Sequence, residues 1–237
     1  MCILGTFAPY TVCHQDSVVK IDKDIPLEKA ALVGCGVATG YGSAVNTGEV
    51  QPGEIVVVMG CGGVGMNAIQ GARVAGAEAI IAIDPLESKR EWAEQFGATH
   101  SARDTDEAWD LVSEMTRGQL ADKLILTTGV AEGEDIYDCL GLVGKRGRVV
   151  VTAIGHGDQT QVEMSLFELA LYEKQVVGSL FGSSNPRVQI PKLLSMYQNG
   201  KLMLDELVTR TYTLEEINQG YQDMRDGKNI RGVIVYD

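Results

Sequence analysis

The sequence predicts an α/β protein built on a doubly wound parallel sheet, and three observations carry that prediction. From about Glu54 onward, apolar β-branched runs alternate with helix-compatible ones, the order required by a parallel sheet covered with helices. Runs such as Val149-Val150-Val151 show no polar alternation, so both faces of these strands are expected to be buried. The first run, residues 55–59, ends in Gly60-Cys61-Gly62-Gly63-Val64-Gly65 and passes straight into a helical pattern. That is the strand-to-helix setting in which G-x-G-x-x-G holds a dinucleotide pyrophosphate.

Taken in order, residues 10–12 and 17–20 read as strand-like, and residues 34–42 as a glycine-rich, helix-compatible stretch. Strands are predicted at 55–59, 79–83, 123–127, 148–153 and 175–180, each a short apolar run bounded by polar or glycine-bearing turns. Helices are predicted between and after them at 64–75, 88–96, 106–115, 135–142 and 166–172. The last part carries helices over 191–199 and 214–225 and a terminal strand over 232–236. Neither an internal repeat nor a low-complexity segment is present.

A chain of 237 residues, 45% hydrophobic and 22% charged, has the composition of a globular protein with a substantial core. Its formal net charge of −12 argues against nucleic acid or an anionic membrane surface as a general partner, because both would be repelled. No run approaches the roughly 18 apolar residues that cross a bilayer, and no basic region precedes an apolar core at the N-terminus. A cytoplasmic location is therefore expected. The five cysteines, Cys2, Cys13, Cys35, Cys61 and Cys139, show no C-x-x-C spacing, which disfavours a disulfide framework and a self-contained zinc cluster.

Each glycine of the fingerprint has a task. Gly60 lets the chain turn sharply, Gly62 lets backbone N–H groups approach the phosphates, and Gly65 lets helix and strand pack closely; Gly63 is counted with them as cofactor-binding. The N-terminus of that helix offers unpaired donors and the positive end of its dipole. With 28 glycines in the chain, a lone match would mean little. This one is followed by a second apolar run that ends at Asp84, 19 residues beyond Gly65. A carboxylate there accepts hydrogen bonds from the adenosine ribose hydroxyls and repels a 2′-phosphate, which favours NAD over NADP. The plainer alternative is a glycine turn before a packing helix, with a surface aspartate nearby.

The run Gly34-Cys35-Gly36-Val37-Ala38-Thr39-Gly40-Tyr41-Gly42-Ser43-Ala44-Val45-Asn46, then the glycine fingerprint, then Gly227-Lys228-Asn229-Ile230-Arg231, closely resembles zinc-dependent alcohol dehydrogenases of the medium-chain dehydrogenase/reductase superfamily. The likeness runs from about Phe7 to the C-terminus. It is nearest to the class of glutathione- or mycothiol-dependent formaldehyde dehydrogenases and nicotinoprotein alcohol dehydrogenases. The resemblance implies a Rossmann-type NAD-binding domain over 37–180, flanked by remnants of a GroES-like catalytic domain at 1–36 and 181–237. It implies that Cys35 matches the third protein ligand of a catalytic zinc and that Thr39 acts beside the nicotinamide ring, with Val64 on the same side. It further implies Asp84 and Lys89 at the adenosine ribose and Arg231 on the pyrophosphate, where a fixed charge and a planar fork suit phosphate oxygens.

The implied cofactors are NAD and zinc, and the implied substrate is a primary alcohol or an aldehyde-thiol adduct such as that of formaldehyde. The strand near 175–180 is expected to lie at a sheet edge and pair across a two-fold axis, giving a homodimer or pairing with a complementing chain. Relatives also carry an N-terminal part with a further cysteine and a histidine on zinc, a four-cysteine structural lobe and a proton relay. The sequence is expected to be a truncated form that begins after these. A catalytic zinc needs three protein ligands and an open position, so Cys35 alone cannot hold one. Two readings stay open: an NAD-dependent alcohol dehydrogenase represented by its C-terminal two-thirds, or a non-catalytic dinucleotide-binding module.

Other chemically capable residues are weaker candidates. Cys13 and His14 are neighbours, and on an extended strand they would point to opposite faces. His100 reads as a surface residue, and His156, just after a strand end, as a loop histidine or a nicotinamide-side contact. Cys61 either packs or is activated by the helix N-terminus beside it; Cys139 reads as core. Lys145 and Arg146 look like solvated charge in a turn, and Glu132-Gly133-Glu134-Asp135 like the start of a helix.

Overall fold

A computed structural model of the chain describes residues 4–236; Cys2 lies outside the described residues. They fall into two compact units: Cys35–Ser184, and a second drawn from both flanks, up to Gly34 and from Asn185.

Helix α1 (Leu27–Val33) belongs to the flanking unit, and α2 (Gly36–Gly42) opens the larger one, running on into a π-helical turn at Ser43–Thr47. There follow β1 (Ile55–Met59), α3 (Gly63–Ala75), β2 (Ala79–Ile83), α4 (Glu87–Phe96) and β3 (His100–Ala102). The second half of the unit holds α5 (Thr105–Thr116), β4 (Ala121–Leu126), α6 (Asp135–Leu142), β5 (Val143–Val151), α7 (Leu166–Leu171) and β6 (Gln175–Gly178). The flanking unit resumes with α8 (Pro186–Gln198), β7 (Val208–Tyr212), α9 (Ile217–Arg225) and β8 (Arg231–Ile234).

Six strands form one parallel sheet in the order β3-β2-β1-β4-β5-β6. This is the doubly wound α/β fold that the alternation predicts. The order reverses between β1 and β4, and in such sheets ligands bind outside the carboxyl ends of the strands at that reversal. Val57 of β1 stands opposite Ile81 on one side and Leu124 on the other. Val56, Val57 and Val58 are all fully buried, which is why the run has no polar alternation. Burying each such side chain stabilises the sheet by about 1.5–3 kcal/mol, so the strand bearing the glycine loop is rooted in the buried core.

Helix starts are chemically marked. Asp104 caps α5 by accepting from the Glu107 N–H at 3.0 Å, and Asn185 caps α8 with Pro186 in its first turn. That cap moves the start of α8 five residues ahead of the predicted 191, since Pro191 is tolerated inside the helix. Two short strands lack the apolar run that would announce them: β3 reads His-Ser-Ala, and β7 reads Val-Thr-Arg-Thr-Tyr. The strand expectations at 10–12 and 17–20 are overturned. No strand pairs these residues in the structure, Gln15–Ser17 is a 3-10 turn, and Tyr10 and Val12 are 93% and 100% exposed. β-propensity without a partner edge does not make a strand. Lys145 and Arg146 lie within β5 and not in a turn before it; Arg146 sits at φ 62°.

In the flanking unit, β7 and β8 pair in parallel, and α9 places the buried Asp223 against them. Its carboxylate accepts from the Tyr212 hydroxyl at 2.8 Å, Arg210 at 2.7 Å and Gln219 at 2.8 Å. Among the described residues, no helix is long and apolar enough to cross a membrane.

Candidate dinucleotide site

The glycine loop leaves β1 at the point where the sheet order reverses. Gly60 takes φ +96°, and a Cβ there would meet the Thr128 amide nitrogen at 2.7 Å. At Gly65 a Cβ would fall on the Gly60 carbonyl oxygen, so the first turn of α3 approaches the strand end backbone to backbone. The middle glycine differs: a Cβ at Gly62 would meet nothing within 4 Å. The side-chain-free surface there faces open space.

Gly62 offers α3 no side-chain cap, and the helix's own bonding starts with the Met66 N–H on the Gly62 carbonyl at 2.9 Å. The N–H groups of Gly63, Val64 and Gly65 precede that bond, so the helix supplies them with no acceptor. Three neighbours hold the loop from behind. The Gly60 N–H donates to the Ile83 carbonyl at 2.8 Å, and the Cys61 N–H donates to the Asp84 carboxylate at 2.9 Å. From the other side of the reversal, the Thr127 hydroxyl lies 2.7 Å from the Gly60 carbonyl oxygen and 3.0 Å from that of Met59.

Asp84 is 9% exposed at the end of β2, and its other oxygen accepts from the Leu86 N–H at 3.0 Å. Its backbone is clamped by Arg90, whose guanidinium donates to the carbonyls of Asp84 and Pro85 at 2.8 and 3.1 Å. Lys89 is buried in the first turn of α4, with its ammonium 5.5 Å from the centre of the Trp92 ring.

Thr39 and Cys35 belong to the same unit as the loop. Helix α2 packs on α3 through Gly40, where a Cβ would fall on the Val64 carbonyl oxygen. The half-buried Thr39 is therefore adjacent to the first turn of α3, and its N–H donates to the Cys35 carbonyl at 2.9 Å. Cys35 itself is exposed at the start of α2. Gly60, Gly62, Gly63, Val64, Gly65, Asp84, Thr39 and Cys35 are thus gathered at one end of one unit. Arg231 belongs to the flanking unit, as the first residue of β8.

The remaining candidates resolve plainly. Burial, with the nearby Asp84 charge, pushes the Cys61 thiol well above its ordinary range, opposite to activation by a helix N-terminus. Cys139 is core, its thiol pushed up to about 12 by burial. His14, His100 and His156 are exposed; His156 lies in the loop after β5. Among the described residues, no three His, Cys, Asp or Glu side chains are grouped so as to hold a metal ion.

Residues 63–199, which begin at this first turn, match the family of zinc-binding dehydrogenases. The chain belongs to that family. It is 53% identical over 236 residues to alcohol dehydrogenase B of Mycobacterium tuberculosis, covering 100% of this chain and 63% of that protein. Against the NDMA-dependent alcohol dehydrogenase of Amycolatopsis methanolica the identity is 50% over 236 residues, covering 100% and 64%. The crystal structure of benzyl alcohol dehydrogenase from Acinetobacter calcoaceticus superposes with a TM-score of 0.91 at 33% identity, covering 98% of this chain and 64% of that one. The chain thus spans less than two-thirds of the length of these relatives.

The residues present fit a dinucleotide: an open glycine surface, unfilled amides at a helix N-terminus and a buried carboxylate beside them. They do not form a zinc site, because Cys35 has no second and third ligand grouped with it among the described residues. Sequence reasoning missed Thr127 and Arg90. Thr127 carried a signal in its place at the carboxyl end of β4, next to the reversal; Arg90 carried none.

Proposed function

We propose that this chain binds NAD through its Cys35–Ser184 unit and belongs to an alcohol dehydrogenase acting on primary alcohols or aldehyde-thiol adducts. The observation that carries the reading is the first turn of α3, whose amides have no acceptor in the helix or in a cap, beside a carboxylate fixed at the loop. In this reading the amides of Gly62 to Gly65 hold the pyrophosphate, and Asp84 and Lys89 hold the adenosine ribose. Thr39 and Val64 orient the nicotinamide. The bound nicotinamide supplies the hydride-acceptor chemistry. No step is derived through zinc. Residues 37–180 act as the NAD-binding domain in this scheme, and 1–36 with 181–237 as catalytic-domain segments. The outer strand β6 pairs with that of a second copy; sedimentation as a monomer at micromolar concentration would refute the pairing.

One observation favours a second reading, a module that binds NAD without turnover: the metal ligand expected at Cys35 has no companions among the described residues. Calorimetric titration with NAD, metal analysis and an assay of alcohol-dependent NADH formation separate the two. The Amycolatopsis relative is named NDMA-dependent, so turnover is assayed with and without NDMA. Saturable NAD binding with turnover and stoichiometric zinc supports the dehydrogenase; binding without metal or turnover supports the module. Absence of NAD binding by the folded chain sinks both.

A further inference from the structure

A partly buried chain of hydroxyls, with Ser43 at its centre, lies behind Thr39. Ser43, fully buried, donates its hydroxyl proton to the Thr39 carbonyl at 2.7 Å, and the Ser43 N–H reaches back to the same carbonyl. The Ser43 oxygen in turn accepts from the Thr152 hydroxyl at 2.8 Å and lies 3.1 Å from the Ser179 hydroxyl. Ser179 is then bonded by Thr47 at 2.9 Å, and the Asn46 amide donates to the Gly182 carbonyl at 2.8 Å. Thr152 and Ser179 follow the carboxyl ends of β5 and β6, and their own N–H groups are held by the carbonyls of Leu126 and Val151. Ser43 therefore ties the end of α2 to two fixed points on the sheet.

A serine bonded to the carbonyl four residues back competes with helix geometry and bends it, and here α2 gives way to a π-helical turn at Ser43 itself. Such turns are costly irregularities that recur at functional sites. The groups assigned to the other half of the cofactor, the glycine loop and Asp84, are anchored instead on β1, β2 and β4. We propose that Ser43 is a positioning residue. Through the Thr39 carbonyl it sets where Thr39 stands against the nicotinamide end of the cofactor, without bearing on the adenosine diphosphate end. This rests on the reading that Thr39 faces the nicotinamide.

The test compares NADH with ADP-ribose, which lacks the nicotinamide, on the full chain. For Ser43→Ala, loss of one buried hydrogen bond predicts NADH binding weakened about five- to tenfold. The emission of bound NADH shifts toward that of free NADH, and the ADP-ribose Kd stays within about twofold of the wild type. The double variant Thr152→Val with Ser179→Ala leaves Ser43 in place but frees it from the sheet; it is expected to shift NADH in the same direction by a smaller factor. Equal weakening of both ligands in either variant shows a merely structural role and overturns the proposal, as does unchanged binding of both. Should the wild type bind neither ligand, the dinucleotide reading itself has failed; should it bind ADP-ribose while the variants leave NADH untouched, only the role of Ser43 has.

Discussion

Replacing Asp84 by alanine removes its hydrogen bonds to the loop and, on the proposed reading, its bond to the adenosine ribose, and the two effects can be read separately. Within the protein, the carboxylate accepts the buried Cys61 N–H at 2.9 Å and the Leu86 N–H at 3.0 Å. Leaving a buried donor without its ionised acceptor costs about 1–3 kcal/mol. For a chain of this size each kcal/mol lowers Tm by about 2–4 °C, so the variant is expected to melt about 2–12 °C lower. Toward the ligand, losing the carboxylate that would accept from a ribose hydroxyl costs about 1.5–3 kcal/mol, or about 10- to 150-fold in NAD affinity. On the same reading the 2′-phosphate of NADP makes no such bond and is repelled by the carboxylate, so NADP binding is expected to hold or improve and the ratio of affinities to move toward NADP. Differential scanning calorimetry reads the first effect and paired NAD and NADP titrations the second. A lower Tm with an unchanged NAD-to-NADP ratio would refute the ribose role and leave Asp84 as an anchor of the glycine loop alone.

Thiol reactivity should divide by burial: iodoacetamide at about pH 8, near the ordinary cysteine pKa, is expected to label the exposed Cys35 and to leave Cys61 and Cys139 unmodified until the chain is unfolded. Labelling of Cys61 in the folded protein, read by peptide mass spectrometry, would show that the loop is not closed over it. In the flanking unit, the Tyr212 hydroxyl, then Gln219, and Arg210 hold the Asp223 carboxyl below the usual carboxylate range. A carboxyl whose folded pKa is depressed contributes in full above its unfolded value of about 3.9 and loses that contribution as pH falls through the folded value. Asp223→Asn is therefore expected to melt below the wild type by a constant margin from neutral pH down to about pH 5, the gap closing in more acid solution; a margin that stays constant there would exclude the linkage.

What was legible in the sequence follows from how each feature is specified. The strand over 55–59 and the loop after it are local: a fully apolar run demands burial on both faces, and glycines mark where backbone must meet backbone or ligand. Asp84 was legible because the length of one β-α-β unit fixes its distance from the loop. Strand β3 was not, because three residues reading His-Ser-Ala take strand form only from pairing with β2. Thr127 and Ser43 were hidden for a related reason. Their hydroxyls act on partners 68 and 109 residues away, the Met59 carbonyl and Thr152, and a hydroxyl's side chain alone does not say which backbone it will meet.

The way the loop is held also bears on how NAD would bind. The backbone behind the proposed phosphate-facing amides is held by the protein itself: the Gly60 and Cys61 N–H groups donate to the Ile83 carbonyl and the Asp84 carboxylate on one side of the sheet reversal, and Thr127 donates to the Gly60 carbonyl on the other. A site whose donors are already aimed loses little conformational freedom on binding, so more of each hydrogen bond appears as affinity. These supports belong to a single unit, and so do Thr39 and the hydroxyls behind it. Cys35, at the start of the same unit, gains no such support for a metal: no grouped side chains among the described residues complete its ligand set. In the proposed reading, the groups that would hold the nucleotide lie within this unit while a metal site is not completed by them, so NAD titration and an assay of turnover test separate parts of that reading.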